Sequence, residues 1–177
     1  RLPKPSFNFS NLEKIFWPAE RYTKGDLIAY YRDISPWLLP YLEDRPLVLT
    51  RFPDGIEGKS FFQKDAPEYA QAFVRTVTMW SADSPRDLDY FVCDSVETLL
   101  YIANMGAIPL HIWGSRVATL ETPDWCILDL DPKGAPFTDV VKVALALKEL
   151  CDAIGLPSFV KTSGSSGLHV LIPLGGQ

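Results

Sequence analysis

Two aspartates at the end of an apolar run are the residues of this sequence best suited to chemistry. Residues 125–132 read WCILDLDP, so Asp129 and Asp131 are two positions apart. On a strand, such side chains project from the same face, roughly 6.5 to 7 Å apart along the backbone. Two carboxylates at this spacing can bind one or two divalent cations, and oxygen ligands favour Mg²⁺ or Mn²⁺.

The alternative interpretation of this motif is a simple loop, because Asp-Pro is a common turn signal. Leu128 and Leu130 alternate with the acids and would occupy the buried face of a strand. Two unpaired carboxylates would then repel each other on the opposite face, and a cation would relieve that repulsion.

A Gly/Ser-rich turn follows these aspartates, after one further helix and strand. Residues 161–169 read KTSGSSGLH, with Lys161 before the turn and His169 after it. Backbone amides and hydroxyls of such a turn can bind phosphate oxygens, and the Lys and His side chains add positive charge. The alternative is an ordinary structural hairpin, in which Ser and Gly are common.

The chain has only two histidines, His111 and His169, which excludes a multi-histidine zinc site. No Ser-His-Asp order points to a hydrolase. His111 lies within a strand pattern, where a structural hydrogen bond is the more common role, and it is kept as a secondary site candidate.

The elements that position the aspartates and the turn read β-α-β-β. Strands are predicted at residues 125–131, 158–162 and 169–173. Between the first two, a helix is predicted to begin at Thr138 as its cap and to end at Gly155. One stripe of this helix is apolar and comprises Val140, Val143, Ala144, Leu147, Leu150, Cys151 and Ile154.

The N-terminal part of the chain also alternates helices and strands. Thr23 is predicted to cap a helix that Pro36 and Pro40 interrupt. Its inward side chains are predicted to be Leu27, Ile28, Tyr30, Tyr31 and Ile34. Residues 47–64 form a predicted hairpin, and of its adjacent rings Phe61 and Phe62 one is expected to enter the core. Further strands are predicted at residues 73–79, 90–93 and 108–113, and a helix at residues 95–105.

Composition indicates one compact α/β domain. The 177 residues are 47% hydrophobic and 22% charged, and the three cysteines form no CxxC pair. No membrane span or signal peptide is evident, which predicts a cytoplasmic protein. The net charge is −5, so a nucleic-acid partner would have to meet a local basic patch. Residues 1–24 provide one, with basic Arg1, Lys4, Lys14, Arg21 and Lys24 against acidic Glu13 and Glu20.

Motifs along nearly the whole chain resemble the primase-polymerase domain of bacterial ligase D, within the archaeo-eukaryotic primase superfamily. The matching segments are NLEKIFWP (11–18), TKGDL (23–27), Tyr30-Tyr31, DRPL (44–47), RFPDG (51–55), FFQK (61–64), LHIW (110–113), LDLDP (128–132) and TSGSSGLH (162–169). The resemblance implies an α+β fold with mostly antiparallel sheet, whose β-α-β-β half is RRM-like and catalytic.

The resemblance further implies a template-dependent nucleotidyltransferase that fills short gaps at DNA double-strand breaks in non-homologous end joining, with manganese and ribonucleotides typically preferred. Its partners would be gapped or 3′-overhang DNA with a 5′-phosphate, NTP or dNTP, a Ku-like protein and an ATP-dependent DNA ligase. The protein would be nucleoid-associated.

The resemblance also implies a role for particular side chains. Asp129 and Asp131 would bind the catalytic Mn²⁺ or Mg²⁺. The incoming nucleotide would be held by Ser163, Ser165, His169, Lys161 and His111. The downstream 5′-phosphate would be held by Asn11, Lys14 and Lys24. The template strand would meet Phe61, Phe62 and Arg51.

One departure from the family pattern concerns the third carboxylate, which lies on a later strand in the family. No acid follows His169 in this sequence, which ends at Gln177. We therefore expect residues 1–177 to form a single primase-polymerase domain whose C-terminal part is missing, or a short relative with an incomplete metal site.

Two further hypotheses stay open beside the polymerase. A non-catalytic DNA-end binding module would recognise a recessed 5′-phosphate through Lys14 and Lys24. A metal-dependent phosphatase or nuclease would share the carboxylates, but it accounts for neither the aromatic pair nor the N-terminal motif.

Overall fold

The structure is a computed structural model that describes residues 5–70 and 72–175. The chain divides into two compact units, Arg1–Trp113 (unit 1) and Gly114–Gln177 (unit 2), which are described separately. The single domain expected from the sequence stays a prediction. Among the described residues, no helix combines the length and the apolar character needed to span a bilayer.

Unit 1 combines two helices with a five-stranded antiparallel sheet and a two-stranded ribbon. Its elements are β1 (Ile15–Trp17), β2 (Tyr22–Thr23), α1 (Lys24–Leu42), β3 (Pro46–Arg51), β4 (Phe61–Gln63), β5 (Arg75–Ser81), β6 (Arg86–Val92), α2 (Val96–Asn104) and β7 (Ala107–Ile112). Strands β1 and β2 form the ribbon.

Strand β3 is central to the five-stranded sheet. Strand β7 pairs along one edge of β3, while β6 and β4 share the other edge at its start and end respectively. Strand β5 continues the sheet beyond β6. Leu47 and Leu49 of β3 are fully buried in a core that also contains Leu27 of α1 and Ile102 of α2.

Helix α1 begins as predicted and continues past both prolines. The Thr23 side chain accepts from the Asp26 N–H, and the Asp26 carboxylate accepts from the Thr23 N–H, which forms a capping box. The hydrogen bonds from Thr23 hold the pKa of Asp26 below its usual range. Tyr30 is exposed rather than turned inward.

The predicted break at Pro36 is wrong, and Ser35 explains why. A proline at position 36 cannot donate an N–H to the Arg32 carbonyl four residues earlier. The buried Ser35 hydroxyl donates to that carbonyl instead, at 2.8 Å. The helix therefore keeps the Arg32 acceptor satisfied and continues to Leu42.

The hairpin of β3 and β4 forms as predicted, with Arg51 opposite Phe61 and Thr50 opposite Phe62. The expectation that one ring enters the core is wrong, because Phe61 is 45% exposed and Phe62 is 69% exposed. Strand β4 has three residues and lies at one end of the strand order, where it pairs with β3.

Unit 2 has the predicted β-α-β-β order and confirms the α+β class. Its elements are β8 (Trp125–Leu130), α3 (Phe137–Ala153), β9 (Phe159–Thr162) and β10 (Leu168–Pro173), preceded by a 3₁₀ turn at Val117–Thr119. Strand β10 lies between β8 and β9 and is antiparallel to both.

Helix α3 starts two residues earlier than predicted. Pro136 stands at the N-cap and Thr138 lies inside the first turn, so Thr138 is not the cap. Val140 and Cys151 of the predicted stripe are buried. The other apolar positions are half-buried or exposed, and the exposed ones include Val143, Leu150 and Ile154.

The role of Ser35 can be tested by a pair of substitutions in α1. We expect Ser35→Ala to lower the free energy of unfolding by about 1 kcal/mol, because the Arg32 carbonyl loses its donor. In a Pro36→Ala background, the restored N–H supplies that donor, so the same Ser35→Ala change should have a much smaller effect. Chemical denaturation of the four proteins measures both values, and equal losses in the two backgrounds would contradict this account of the helix.

Candidate functional site

Three polar side chains form a row across the sheet of unit 2. The strand register places His169 of β10 opposite Asp129 of β8 on one side and opposite Lys161 of β9 on the other. His169 Nε2 lies 3.3 Å from Asp129 Oδ1, and Lys161 Nζ lies 3.4 Å from His169 Nδ1. The structure thus brings together three of the residues that the sequence analysis singled out.

The order of groups in this row favours one tautomer of His169. A lysine ammonium only donates hydrogen bonds, so His169 Nδ1 acts as an acceptor toward Lys161. The imidazole proton is then on Nε2, which faces the Asp129 carboxylate. One Asp129 oxygen is engaged by this contact, and the side chain remains 61% exposed.

Asp131 follows β8 directly and is exposed, as Asp129 is. Between them, Leu130 packs with Leu128 against the small core of Cys151, Val170 and Ile172, as the alternation predicted. The chemistry of this pair suits a hard cation, since exposed carboxylates can share Mg²⁺ or Mn²⁺ with water and phosphate ligands. Within residues 5–70 and 72–175, no group of three or more His, Cys, Asp or Glu side chains could hold a metal ion.

The Gly/Ser turn is organised by the Ser163 hydroxyl. Ser163 Oγ accepts from the Ser165 N–H at 3.3 Å and from the Gly167 N–H at 3.1 Å. The Ser163 N–H donates to the Gly167 carbonyl at 3.1 Å and closes the turn. Because its oxygen accepts from two amides, the Ser163 hydroxyl proton remains as a donor for a further acceptor. Ser165 is exposed at the tip.

Gly167 allows the turn to lie directly against the aspartate motif. A Cβ atom at this position would lie 2.3 Å from the Leu130 carbonyl oxygen and 3.1 Å from Asp131 Oδ1. Only glycine fits so close to the neighbouring backbone. The turn and the two aspartates therefore form one continuous surface of unit 2.

In unit 1, the three predicted phosphate-binding residues lie in and around one loop. The Lys24 N–H donates to the Lys14 carbonyl at 2.8 Å, and the Lys14 N–H donates to the Asn11 carbonyl at 3.0 Å. Lys24 is only 5% exposed, and its ammonium donates to the carbonyl and the hydroxyl of Ser10 at 2.7 and 3.2 Å. Lys14 forms an exposed ion pair with Asp54 at 2.6 Å.

Burial and the positive potential around this loop both lower the pKa of Lys24. Burial, followed by the nearby charges of Lys14 and Arg51, holds the pKa of Lys24 below its usual range. A buried ammonium with two cationic neighbours is stabilised by an anion. The Lys24 ammonium has three N–H donors and uses two of them on Ser10.

Phe61 and Phe62 project from opposite faces of β4 and have different neighbours. Phe62 lies beside His111, with ring centroids 5.7 Å apart, and His111 Nε2 is 2.8 Å from Thr50 Oγ1. The Arg51 guanidinium carbon lies 5.2 Å from the centre of the Phe61 ring. The hydrogen bond to Thr50 fits the structural role considered for His111, while the exposure of His111 keeps it accessible to a ligand.

Two residues of these surfaces were not identified from the sequence. Ser10 accepts from the Lys24 ammonium through its carbonyl and its hydroxyl, and no local pattern marks a serine for that contact. Gln63 bonds to Arg51 at 2.8 Å. Its spacing of two from Phe61 on a strand was the available signal, since it places both on one face.

Comparisons with known proteins agree with these motifs. Residues 23–177 match the family described as "LigD, primase-polymerase domain". The chain is 34% identical over 171 residues to the bifunctional non-homologous end joining protein LigD of Bacillus subtilis. That match covers 96% of this chain and 27% of the relative. It is 35% identical over 175 residues to the multifunctional LigD of Pseudomonas aeruginosa, over 98% of this chain and 21% of that protein.

A solved structure is also similar. The polymerase domain of Mycobacterium tuberculosis ligase D, in complex with DNA, matches with a TM-score of 0.87 and 29% identity. The match covers 98% of this chain and 63% of that one. This chain therefore spans about a quarter of the curated relatives and under two thirds of the solved domain.

The close approach at Gly167 can be tested by adding one methyl group. We expect Gly167→Ala to lower the free energy of unfolding by about 1–3 kcal/mol, because its Cβ would collide with the Leu130 backbone. Ser166→Ala, at an exposed position of the same turn, should change it by less than about 0.5 kcal/mol. Thermal and chemical unfolding measure both, and a Gly167→Ala protein as stable as the wild type would contradict the close packing.

Proposed function

Since this chain belongs to the family of LigD primase-polymerase domains, we propose that it adds nucleotides to a primer under the direction of a template. The reaction fills short gaps at DNA double-strand breaks in non-homologous end joining. The family comprises nucleotidyltransferases, and the LigD relatives are end-joining proteins. The observation that carries the proposal is the row of Asp129, His169 and Lys161 beside the Ser163 turn, which combines carboxylates with phosphate-binding groups on one surface.

The carboxylates of unit 2 are the proposed metal ligands. Asp129 and Asp131 would hold Mn²⁺ or Mg²⁺, with the remaining ligands from phosphate and water. When bound, the cation neutralises developing charge on the phosphates and lowers the pKa of the attacking hydroxyl. His169 would orient Asp129 through its Nε2 contact with one carboxylate oxygen, and the exposed Asp129 side chain would offer its other oxygen to the cation.

The triphosphate of the incoming nucleotide is proposed to lie on the Gly/Ser turn. Ser163 offers its hydroxyl proton, and Ser165 offers a hydroxyl at the exposed tip. Lys161 supplies a positive charge at the edge of the same surface, and charge-assisted hydrogen bonds to phosphate are stronger than neutral ones. His169 lies between the lysine and the aspartate, where it can contact both phosphate and carboxylate.

Unit 1 is proposed to hold the DNA. The 5′-phosphate of the downstream strand binds at Asn11, Lys14 and Lys24, where it relieves the repulsion between the cations. The exposed rings of Phe61 and Phe62 stack on the template, as aromatic side chains do with bases in general. His111, beside Phe62, is proposed to contact the incoming nucleotide.

The substrates and partners follow from the same proposal. The DNA is gapped or has a 3′ overhang, and both NTP and dNTP are candidate substrates, with ribonucleotides and manganese preferred. A Ku-like protein and an ATP-dependent DNA ligase would work at the same DNA end, in the cytoplasm at the nucleoid. The solved relative of this chain was bound to DNA, which supports a DNA-bound state here.

A second candidate function is a non-catalytic module that binds DNA ends. It is favoured by one observation: Asn11, Lys14 and Lys24 all lie in unit 1, whereas the aspartates lie in unit 2. Binding of a 5′-phosphate therefore needs no carboxylate of the proposed metal site.

The polymerase proposal is tested by primer extension on a short gap with a 5′-phosphate, Mn²⁺ and ribonucleotides. Asp129→Asn keeps the shape of the side chain but removes its charge, so we expect extension to fall by about two orders of magnitude or more. DNA binding should change little. Asp152→Asn, which removes an exposed carboxylate of α3 paired with Lys148, is the matched control and should extend normally.

Extension by Asp129→Asn at the wild-type rate would contradict the role of the aspartates. No extension by the wild type, with gapped DNA still bound, would contradict the polymerase proposal and support the end-binding module.

The phosphate site is tested by comparing gapped DNA with a 5′-phosphate and with a 5′-hydroxyl. We expect the wild type to bind the phosphorylated DNA at least about tenfold more tightly, since one charge-assisted hydrogen bond has roughly that effect. Lys24→Met should remove most of this preference, while Lys148→Met in α3 should keep it. Fluorescence anisotropy measures the affinities, and circular dichroism confirms that each variant is folded. A preference that survives in Lys24→Met would place the phosphate elsewhere.

A further inference from the structure

Strand β4 presents its two rings without support from a core. The strand has three residues, and Phe61 and Phe62 are both largely exposed. A strand this short at the margin of a sheet gains little stability from burial, and such segments open locally at low free-energy cost. A fixed orientation of the two rings therefore needs additional contacts.

Arg51 supplies such contacts from the adjacent strand. Its Nε donates to the Met105 carbonyl at 2.9 Å, and its Nη1 donates to Gln63 Oε1 at 2.8 Å. The guanidinium also lies over the Phe61 ring, with 5.2 Å between its central carbon and the ring centre. Met105 is the C-cap of α2, so Arg51 links the end of a buried helix to the β4 strand.

Gln63 extends this link along the chain. Its Oε1 accepts from Arg51, and its Nε2 donates to the Asp65 carbonyl at 2.9 Å. Both ends of the amide are thereby engaged, one toward β3 and one toward the segment that follows β4. The half-buried Arg51 and Gln63 form a continuous hydrogen-bonded chain from Met105 to Asp65.

We propose that Arg51 and Gln63 are positioning residues that hold Phe61 and Phe62 in the orientation in which they stack on the template base. The inference rests on the proposed function, because it requires a template strand at the aromatic pair. Arg51 then acts on the template through Phe61, rather than by a direct phosphate contact. Holding the rings before the DNA arrives reduces the entropy lost on binding.

The two residues have separable chemistry. Gln63→Leu removes both hydrogen bonds at similar side-chain volume and without a change of charge. Gln63→Glu keeps an acceptor for Arg51, but it loses the donor to Asp65 and adds a negative charge. Arg51→Lys keeps the positive charge and loses the planar group that reaches Met105 and Gln63 together.

The experiment measures DNA binding with 2-aminopurine at the templating position of a gapped duplex. We expect wild-type binding to change the fluorescence of this base, and Phe62→Ala to lose most of that change. Gln63→Leu and Arg51→Lys should each weaken binding by about tenfold and reduce the fluorescence change, while Gln63→Glu, which keeps the acceptor for Arg51, should keep more of that change than Gln63→Leu. The preference for a 5′-phosphate should be unaltered in Gln63→Leu.

The outcomes distinguish this inference from the proposed function. If wild type and Phe62→Ala both bind the duplex with no fluorescence change, the template contact itself is wrong, and the inference fails with it. If the wild type shows the change and Gln63→Leu matches it in signal and affinity, the template contact stands and the positioning role is overturned. If Arg51→Lys alone weakens binding, Arg51 contacts DNA directly, which also overturns it. Circular dichroism of each variant excludes unfolding as the cause.

Discussion

The pairing of strand β10 with both of its neighbours is the constraint on which the proposed chemistry depends. Because β10 is antiparallel to β8 and to β9, one register sets which side chains stand side by side. A shift by one residue would turn His169 to the other face of the sheet and would separate it from Asp129 and Lys161. This register requires glycine at position 167, because a Cβ atom there would collide with the Leu130 carbonyl, next to the first residue pair of β10 and β8.

The residues of unit 1 that are proposed to bind DNA depend on a different principle, in which charged groups are held by the protein itself. Lys24 is fixed by Ser10, and Arg51 by Met105 and Gln63. These cations are within electrostatic reach of each other, since both Lys14 and Arg51 lower the pKa of Lys24. Repulsion stored among fixed cations favours binding of an anion such as a phosphate. The proposed DNA site is therefore compatible with a net charge of −5 for the whole chain.

Much of this arrangement follows from local sequence patterns. The alternation of Leu128 and Leu130 with the aspartates predicts the exposed carboxylates, and Thr23 with Asp26 forms a capping box that the chain itself specifies. The contact between Asp129 and His169 could not be predicted, because 39 residues lie between them and spacing alone does not define a strand register.

Where the predictions fail, a neighbouring group or the position of a strand in its sheet offsets the local rule. Pro36 and Pro40 were expected to interrupt α1, but the helix continues past both, and the Ser35 hydroxyl replaces the donor missing at Pro36. Phe61 and Phe62 were expected to divide between core and surface, but β4 lies at the sheet margin and buries neither. Thr138 was expected to cap α3, although Pro136, two positions earlier, stands at the N-cap. Pro136 adopts φ −59° and ψ 143°, and no side-chain hydrogen bond caps the helix there.

The central claim is that the aspartates and the Gly/Ser turn form a single cation-dependent site, and Mn²⁺ titration followed by NMR tests it most directly. Mn²⁺ is paramagnetic and broadens the signals of nearby nuclei, and the two histidines can be assigned with a His111→Gln variant. We expect substoichiometric Mn²⁺ to broaden the His169 ring signals in the wild type, and the Asp129→Asn/Asp131→Asn protein to lose that effect. His169 signals that stay sharp in the wild type, or broaden equally in the double variant, would contradict the account.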